Sequence, residues 1–178
     1  QIYGYPFVPP VPRKELEAAR EYRRRNNSFL HEDLLAAEHA DGRRVVAKAG
    51  HFTAFVPFYA HYPYEVHIYS RRPAQSIADL SEEERRDLAH VLKRVLSGYD
   101  ELFGFSLPYV MAMHQAPTDG EDYTGIAHFH IEFYPPNRTK DKLKCLAGSE
   151  VGAGAFVMDA LPEDTAKTLR EAVDKAEE

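Results

Sequence analysis

His128-Phe129-His130-Ile131-Glu132-Phe133-Tyr134 alternates polar and apolar side chains with a period of two. On a strand, that period places His128, His130 and Glu132 along one face and Phe129, Ile131 and Phe133 along the other. Two imidazoles and a carboxylate held within a few ångströms are what a zinc or iron site requires, and equally what a histidine nucleophile steadied by its neighbours requires. His114 ends the preceding predicted strand, and because antiparallel neighbours lie about 4.8 Å apart it can reach the same cluster. The competing reading, solvated polar residues on a half-exposed strand, loses ground once His114 is counted. His31, His39, His51, His61, His67 and His90 lack such company in sequence and read as surface or satisfied core residues. Among these, His67 shares a strand face with Glu65, a second polar pair.

The elements that must hold this strand follow from pattern. Pro6, Pro9, Pro10 and Pro12 confine the backbone of the opening segment, which should run extended. A polar helix is expected over Arg13–Arg25, then a short helix over Phe29–His39 capped by Ser28 and ended by Asp41-Gly42. Residues 44–49, 51–57 and 64–70 are rich in Val, Phe, Tyr and Ile and read as consecutive antiparallel strands, joined later by 109–114 and 126–134. Ser81 and Glu84 form a capping box, and Leu88, Val91, Leu92, Val95, Leu96, Tyr99, Leu102 and Phe103 recur at helical spacing. That stripe should lie across one sheet face as core. A basic linker, a glycine-bearing segment over 148–154 and a helix from about Pro162 to Ala176 complete the chain. The fold class is α+β: an antiparallel sheet of about five strands with one long helix packed on it and further helices at both ends.

With 178 residues, 28 acids against 22 bases and a formal charge of −6, the chain is long enough for a core and poorly suited to nucleic acid or an anionic membrane. No stretch without a charged side chain, Phe52–Tyr64 included, reaches the roughly 20 apolar residues that span a bilayer. The single Cys145 excludes an internal disulfide and a Cys-rich zinc module, and fits a reducing, cytoplasmic setting. Any metal must therefore be held by histidines and carboxylates. Gln1-Ile2-Tyr3-Gly4-Tyr5 has neither an initiator Met nor the composition of a signal peptide.

The strand pattern resembles the histidine triad signature with Glu132 in place of the third His. Tyr99-Asp100-Glu101-Leu102-Phe103, Leu107-Pro108-Tyr109, Met113-His114-Gln115-Ala116-Pro117 and Phe133-Tyr134-Pro135-Pro136 resemble, in order and spacing, the C-terminal half of galactose-1-phosphate uridylyltransferase. His51-Phe52, Val56-Pro57-Phe58, Pro63-Tyr64-Glu65 and Asp79-Leu80 extend the likeness over nearly all of the chain. It implies a segment 1–42 continuing from an upstream half and a C-terminal uridylyltransferase domain over 43–178. In that family a histidine in His-Pro-His-Gly-Gln attacks the α-phosphorus of UDP-glucose and carries the uridylyl group. Gln1-Ile2-Tyr3 looks like the end of that motif, so the nucleophile is expected just upstream of Gln1, with no catalytic residue in this chain.

Carried over position by position, the resemblance makes Gln1 a hydrogen-bond donor to the transferred phosphoryl group, and Glu15, His114 and His130 ligands of a second metal site holding zinc or iron. The fourth ligand is His128 or Glu132; His128 is favoured, with Glu132 orienting it or binding directly. Lys144 and Glu150 match residues that reach across a homodimer to the sugar of the nucleotide-sugar. Cys145 and Ser149 depart from the family's aromatics there, and Glu150-Val151-Gly152-Ala153-Gly154 is closer to ADP-glucose phosphorylase-like relatives. Three functions result: the C-terminal half of a UDP-glucose:hexose-1-phosphate uridylyltransferase acting with its upstream half on UDP-glucose and galactose 1-phosphate; a self-contained triad-type nucleotide hydrolase or transferase with His130 as nucleophile; and a metal-stabilised dimerisation module. The first is the leading expectation.

Overall fold

The computed structural model describes residues 3–178. Helices α1 (Pro10–Asn26) and α2 (Leu30–Asp41) lead into a sheet of β1 (Val45–Ala49), β2 (Phe52–Phe55), β3 (Val66–Ser70), β4 (Val110–His114) and β5 (His130–Tyr134). Its spatial order is β1-β2-β3-β5-β4 and every pairing is antiparallel. The long helix α3 (Glu82–Phe103) lies between β3 and β4 in sequence; a small hairpin of β6 (Asn137–Thr139) and β7 (Lys142–Leu143), a short helix α4 (Gly148–Ala153) and helix α5 (Pro162–Lys175) follow β5. This is the expected α+β architecture.

Helix α3 begins where the capping box requires. Ser81 Oγ accepts from the Glu84 backbone N–H at 3.2 Å, and the Glu84 carboxylate accepts from the Ser81 N–H at 2.7 Å. Glu82, Glu83 and Glu84 occupy the first turn, where the unpaired N–H groups favour negative charge. The stripe then buries Leu88, Val91, Val95 and Tyr99 in one core with Ile68, Ile131 and Phe133 of the sheet and Leu169 and Val173 of α5. At Gly98 α3 packs tightly on α5: a Cβ built there would stand 2.4 Å from Val173 Cγ2 and 3.2 Å from Val173 Cα.

The opposite sheet face is covered too. Leu35 of α2 packs on Phe55 and Tyr69, so β3 is buried on both faces and β5 is buried up to its last residue, Tyr134. That covering turns a polar strand face into an interior one.

Four stretches depart from expectation. Pro10–Pro12, expected to run extended, open α1 instead, because proline suits the first helical positions. Phe29, not Ser28, occupies the N-cap of α2, with no side-chain cap bond; the Ser28 side chain serves the Asp33 carboxylate instead. Residues 126–129 leave the sheet ladder because the Phe129 N–H bonds Ala74 O at 2.6 Å and the Ile126 and Ala127 N–H groups both bond Tyr123 O at 3.0 Å. The basic linker forms the β6–β7 hairpin, and the glycine-bearing segment coils into α4 before Gly154 ends it at φ +66°.

Candidate metal centre

Register assembles the polar face. His114 of β4 pairs with His130 of β5, Ala112 with Glu132, and on the other flank His67 and Tyr69 of β3 pair with Glu132 and His130. Alternation then sets His67, Tyr69, His114, His130 and Glu132 side by side on the face beneath α1 and α2. The His130 ring stacks on Tyr69 with centroids 4.6 Å apart and planes 12° off parallel. From α1, Glu15 reaches down so that its Oε2 lies 2.7 Å from His114 Nδ1.

Glu15, His114 and His130 each offer a ligand atom, all lying within 4.8 Å of one another. Glu132 sits among them: Oε2 is 3.2 Å from His114 Nε2, and Oε1 is 3.4 Å from His130 Nε2 and 3.3 Å from His67 Nε2. Tyr134 OH donates to Glu132 Oε2. His130 Nδ1 donates to His128 O at 2.8 Å, which leaves Nε2 as its free coordinating atom.

Opposite charges support one another within the cluster. Burial by itself would lower the His114 pKa, but Glu132 and Glu15 on its two nitrogens outweigh it and hold the imidazolium up to about 10. Burial disfavours the Glu132 carboxylate as well, yet His114, His130 and His67 keep it well below the usual carboxylate range. Burial pushes His130 down, and takes His128 to about 4 and His31 to about 3, each with neighbouring imidazoles adding to the effect. Two carboxylates flanking a single positive ring form a donor set that a divalent ion can complete by replacing the proton.

The sequence-expected residues divide accordingly. Glu15, His114 and His130 come together. His128 lies just before β5, off the sheet ladder and outside that trio; its Nε2 is engaged by Ser70 O at 2.9 Å and Ser70 Oγ at 3.0 Å, and its Nδ1 has no hydrogen-bond partner. Gln1 lies outside the described residues. Lys144 and Glu150 stand apart on the segment after β5: Lys144 Nζ donates to Val157 O at 2.6 Å, and the Glu150 carboxylate accepts from the Ala147 and Val157 N–H groups at 3.0 and 3.1 Å. Two residues read as bland prove to belong to the cluster. His31 of α2 is buried with its ring 5.4 Å from that of His128 and 5.8 Å from that of His130. His67 touches Glu132; the pairing with Glu65 was the signal for it. A cleft of about 1050 Å³, lined among others by Tyr5, Phe7, Glu15, His31, His114 and His130, opens beside the group.

A sequence profile described as "Galactose-1-phosphate uridyl transferase, C-terminal domain" matches residues 15–177. The chain belongs to this family. The galactose-1-phosphate uridylyltransferase of Thermotoga maritima is 42% identical over 171 residues, which cover 96% of this chain and 53% of that protein. A solved uridylyltransferase structure superposes with a TM-score of 0.88 at 39% identity, covering 96% of this chain and 53% of the other. The chain thus spans about half the length of these relatives. A zinc-bound histidine triad family protein from Mycobacterium smegmatis, with a TM-score of 0.53 at 17% identity over 80% of this chain and 92% of its own, shares the fold.

Proposed function

We propose that this chain is the C-terminal half of a UDP-glucose:hexose-1-phosphate uridylyltransferase, building a cation site beside a transfer centre whose nucleophilic histidine lies upstream of Gln1. The observation that carries it is the 42% identity to the Thermotoga maritima enzyme across 96% of the chain, together with the convergence of Glu15, His114 and His130. In the reaction the upstream imidazole attacks the α-phosphorus of UDP-glucose and expels glucose 1-phosphate; a phosphate oxygen of galactose 1-phosphate then displaces the imidazole to give UDP-galactose. Gln1 donates a hydrogen bond to the transferred phosphoryl group, stabilising developing oxygen charge without competing for a proton.

The donor set suits zinc or iron, both of which accept imidazole and carboxylate. Ligands held at about 2.0–2.1 Å in a tetrahedron stand about 3.3 Å from one another. Glu132 approaches that spacing on the Nε2 side of His114, with Oε2 3.2 Å from His114 Nε2 and Oε1 3.4 Å from His130 Nε2. Glu15 sits at His114 Nδ1 and must swing toward Nε2 to join the same ion, whereas His128 spends its Nε2 on Ser70. Glu132 is therefore the fourth ligand in this proposal, in place of His128. When bound, the ion supplies positive charge that neutralises the carboxylates and ties α1 to β4 and β5.

Lys144 and Glu150 belong to a segment whose Leu143, Leu146, Val151 and Val157 are exposed, which supports a homodimer in which this arm reaches the partner's sugar site. A cytoplasmic location agrees with the lone cysteine. None of the described helices is long and apolar enough to cross a membrane.

His130 as an autonomous nucleophile is the weaker reading. Its ring is buried, its Nδ1 is committed to His128 O, and its Nε2 faces a carboxylate that would repel a phosphate. The test is to assay UDP-galactose formation from UDP-glucose and galactose 1-phosphate by the chain with its upstream half and by each part alone. Turnover only in combination is expected; turnover by this chain alone, abolished by His130→Ala, would overturn the assignment.

A further inference from the structure

We infer that Glu65 and His67 form a positioning pair that holds Glu132 in the orientation the cation requires. This role rests on the cation site proposed above and deepens it. His67 and Glu132 are direct cross-strand partners on β3 and β5. A single nitrogen, His67 Nε2, lies 2.9 Å from Glu65 Oε1 and 3.3 Å from Glu132 Oε1, so one N–H stands between two carboxylates. All three residues are buried. Glu65 is itself fixed to the backbone, its Oε2 accepting from the His61 and Tyr62 N–H groups at 2.6 and 3.1 Å.

His67 Nδ1 is buried without a hydrogen-bond partner. A ring with an orphaned nitrogen is a costly way to fill space on a face that already carries Phe55 and Tyr69, where a leucine would leave nothing unpaired. What distinguishes the ring is the contact of its other nitrogen. With Oε1 of Glu132 held from the β3 side, Oε2 is kept toward His114. Outer partners of this kind orient a ligand without touching the ion, and losing one costs about 10–100-fold in metal affinity.

The experiment titrates the purified chain with Co²⁺, reading affinity by competition with zinc and coordination by visible absorption, alongside the melting temperature without metal. Three variants are compared with wild type: His67→Leu, His67→Gln and Glu65→Gln. His67→Leu should weaken Co²⁺ binding about 10–100-fold and alter the visible band. His67→Gln, whose amide N–H can reach Glu132, should restore most of both. Glu65→Gln, which removes the carboxylate anchoring His67, should fall between them and serves if His67→Leu does not fold. Affinity and spectrum unchanged in a folded His67→Leu or in Glu65→Gln, or His67→Gln no better than His67→Leu, would overturn the role while leaving the cation site standing. A wild-type chain that takes up no Co²⁺ in a Glu15-dependent manner would overturn both.

Discussion

His114 Nδ1 stands 2.7 Å from Glu15 Oε2, joining the edge strand β4 to a helix that lies 99 positions earlier in the chain. Glu132 occupies the other ring nitrogen, so His114 is gripped from both ends by carboxylates supplied by separate elements. Helix α1 is brought to the sheet by contacts near this one: Arg20 pairs with Glu121 at 2.9 Å and lies over the Tyr123 ring, and Arg23 donates to Thr124 O at 2.5 Å. The loop before β5 therefore holds the helix that presents Glu15.

Replacing Glu15 by Ala removes a ligand outright. Zinc affinity should fall by more than the ~10–100-fold that loss of an outer partner costs, with the fold retained because Glu15 is partly exposed. Chelator competition measures the affinity and far-ultraviolet circular dichroism the fold. Equal zinc affinity in the variant would remove Glu15 from the site.

Gly98→Ala tests the packing of the core-side helices. The new methyl gains helix propensity of about 1 kcal/mol, but it must push into Val173, including its backbone, and overpacking of this kind costs about 1–3 kcal/mol. A lowered melting temperature is expected from calorimetry; a raised one would mean that α5 shifts freely on α3.

Acid should loosen the start of α3. The Arg72 guanidinium, first, together with the Ser81 N–H, holds the buried Glu84 carboxylate at about 2, against an ordinary value of 4.5. Because the folded-state value is the lower one, this stabilisation is complete above about pH 4.5 and disappears as pH falls toward 2. Glu84→Ala should cost about 1–3 kcal/mol near neutral pH. Denaturant unfolding at pH 7 and pH 2.5 checks it: the gap between wild type and variant should shrink at low pH, and a constant gap would count against the ion pair.

Much of the site was legible because strand alternation is local. The period of two in residues 128–134 was enough to put His130 and Glu132 on one face, and the capping box with its apolar stripe located α3. What pattern does not carry is pairing across the sheet and covering from above it. His67 joins Glu132 through β3–β5 register, and His31 reaches His128 and His130 because α2 lies over the polar face; both are consequences of tertiary placement. His128 continues the alternation in sequence yet lies before β5 and bonds Ser70, a hydrogen-bond partner 58 positions away. The region after β5 was least legible. Its hairpin and the short helix α4 are held by single contacts, such as the Lys144 N–H on Pro136 O and the Glu150 carboxylate capping α4, which leave no periodic trace.

The central claim, that the chain serves a transfer centre whose nucleophile lies upstream of Gln1, is tested most directly by trapping the enzyme after exposure to UDP-glucose labelled in its uridylyl group and mapping the labelled peptide. The expected result is one labelled histidine before Gln1, with label leaving on addition of galactose 1-phosphate. Label on His130, or none when the upstream half is present, would contradict it.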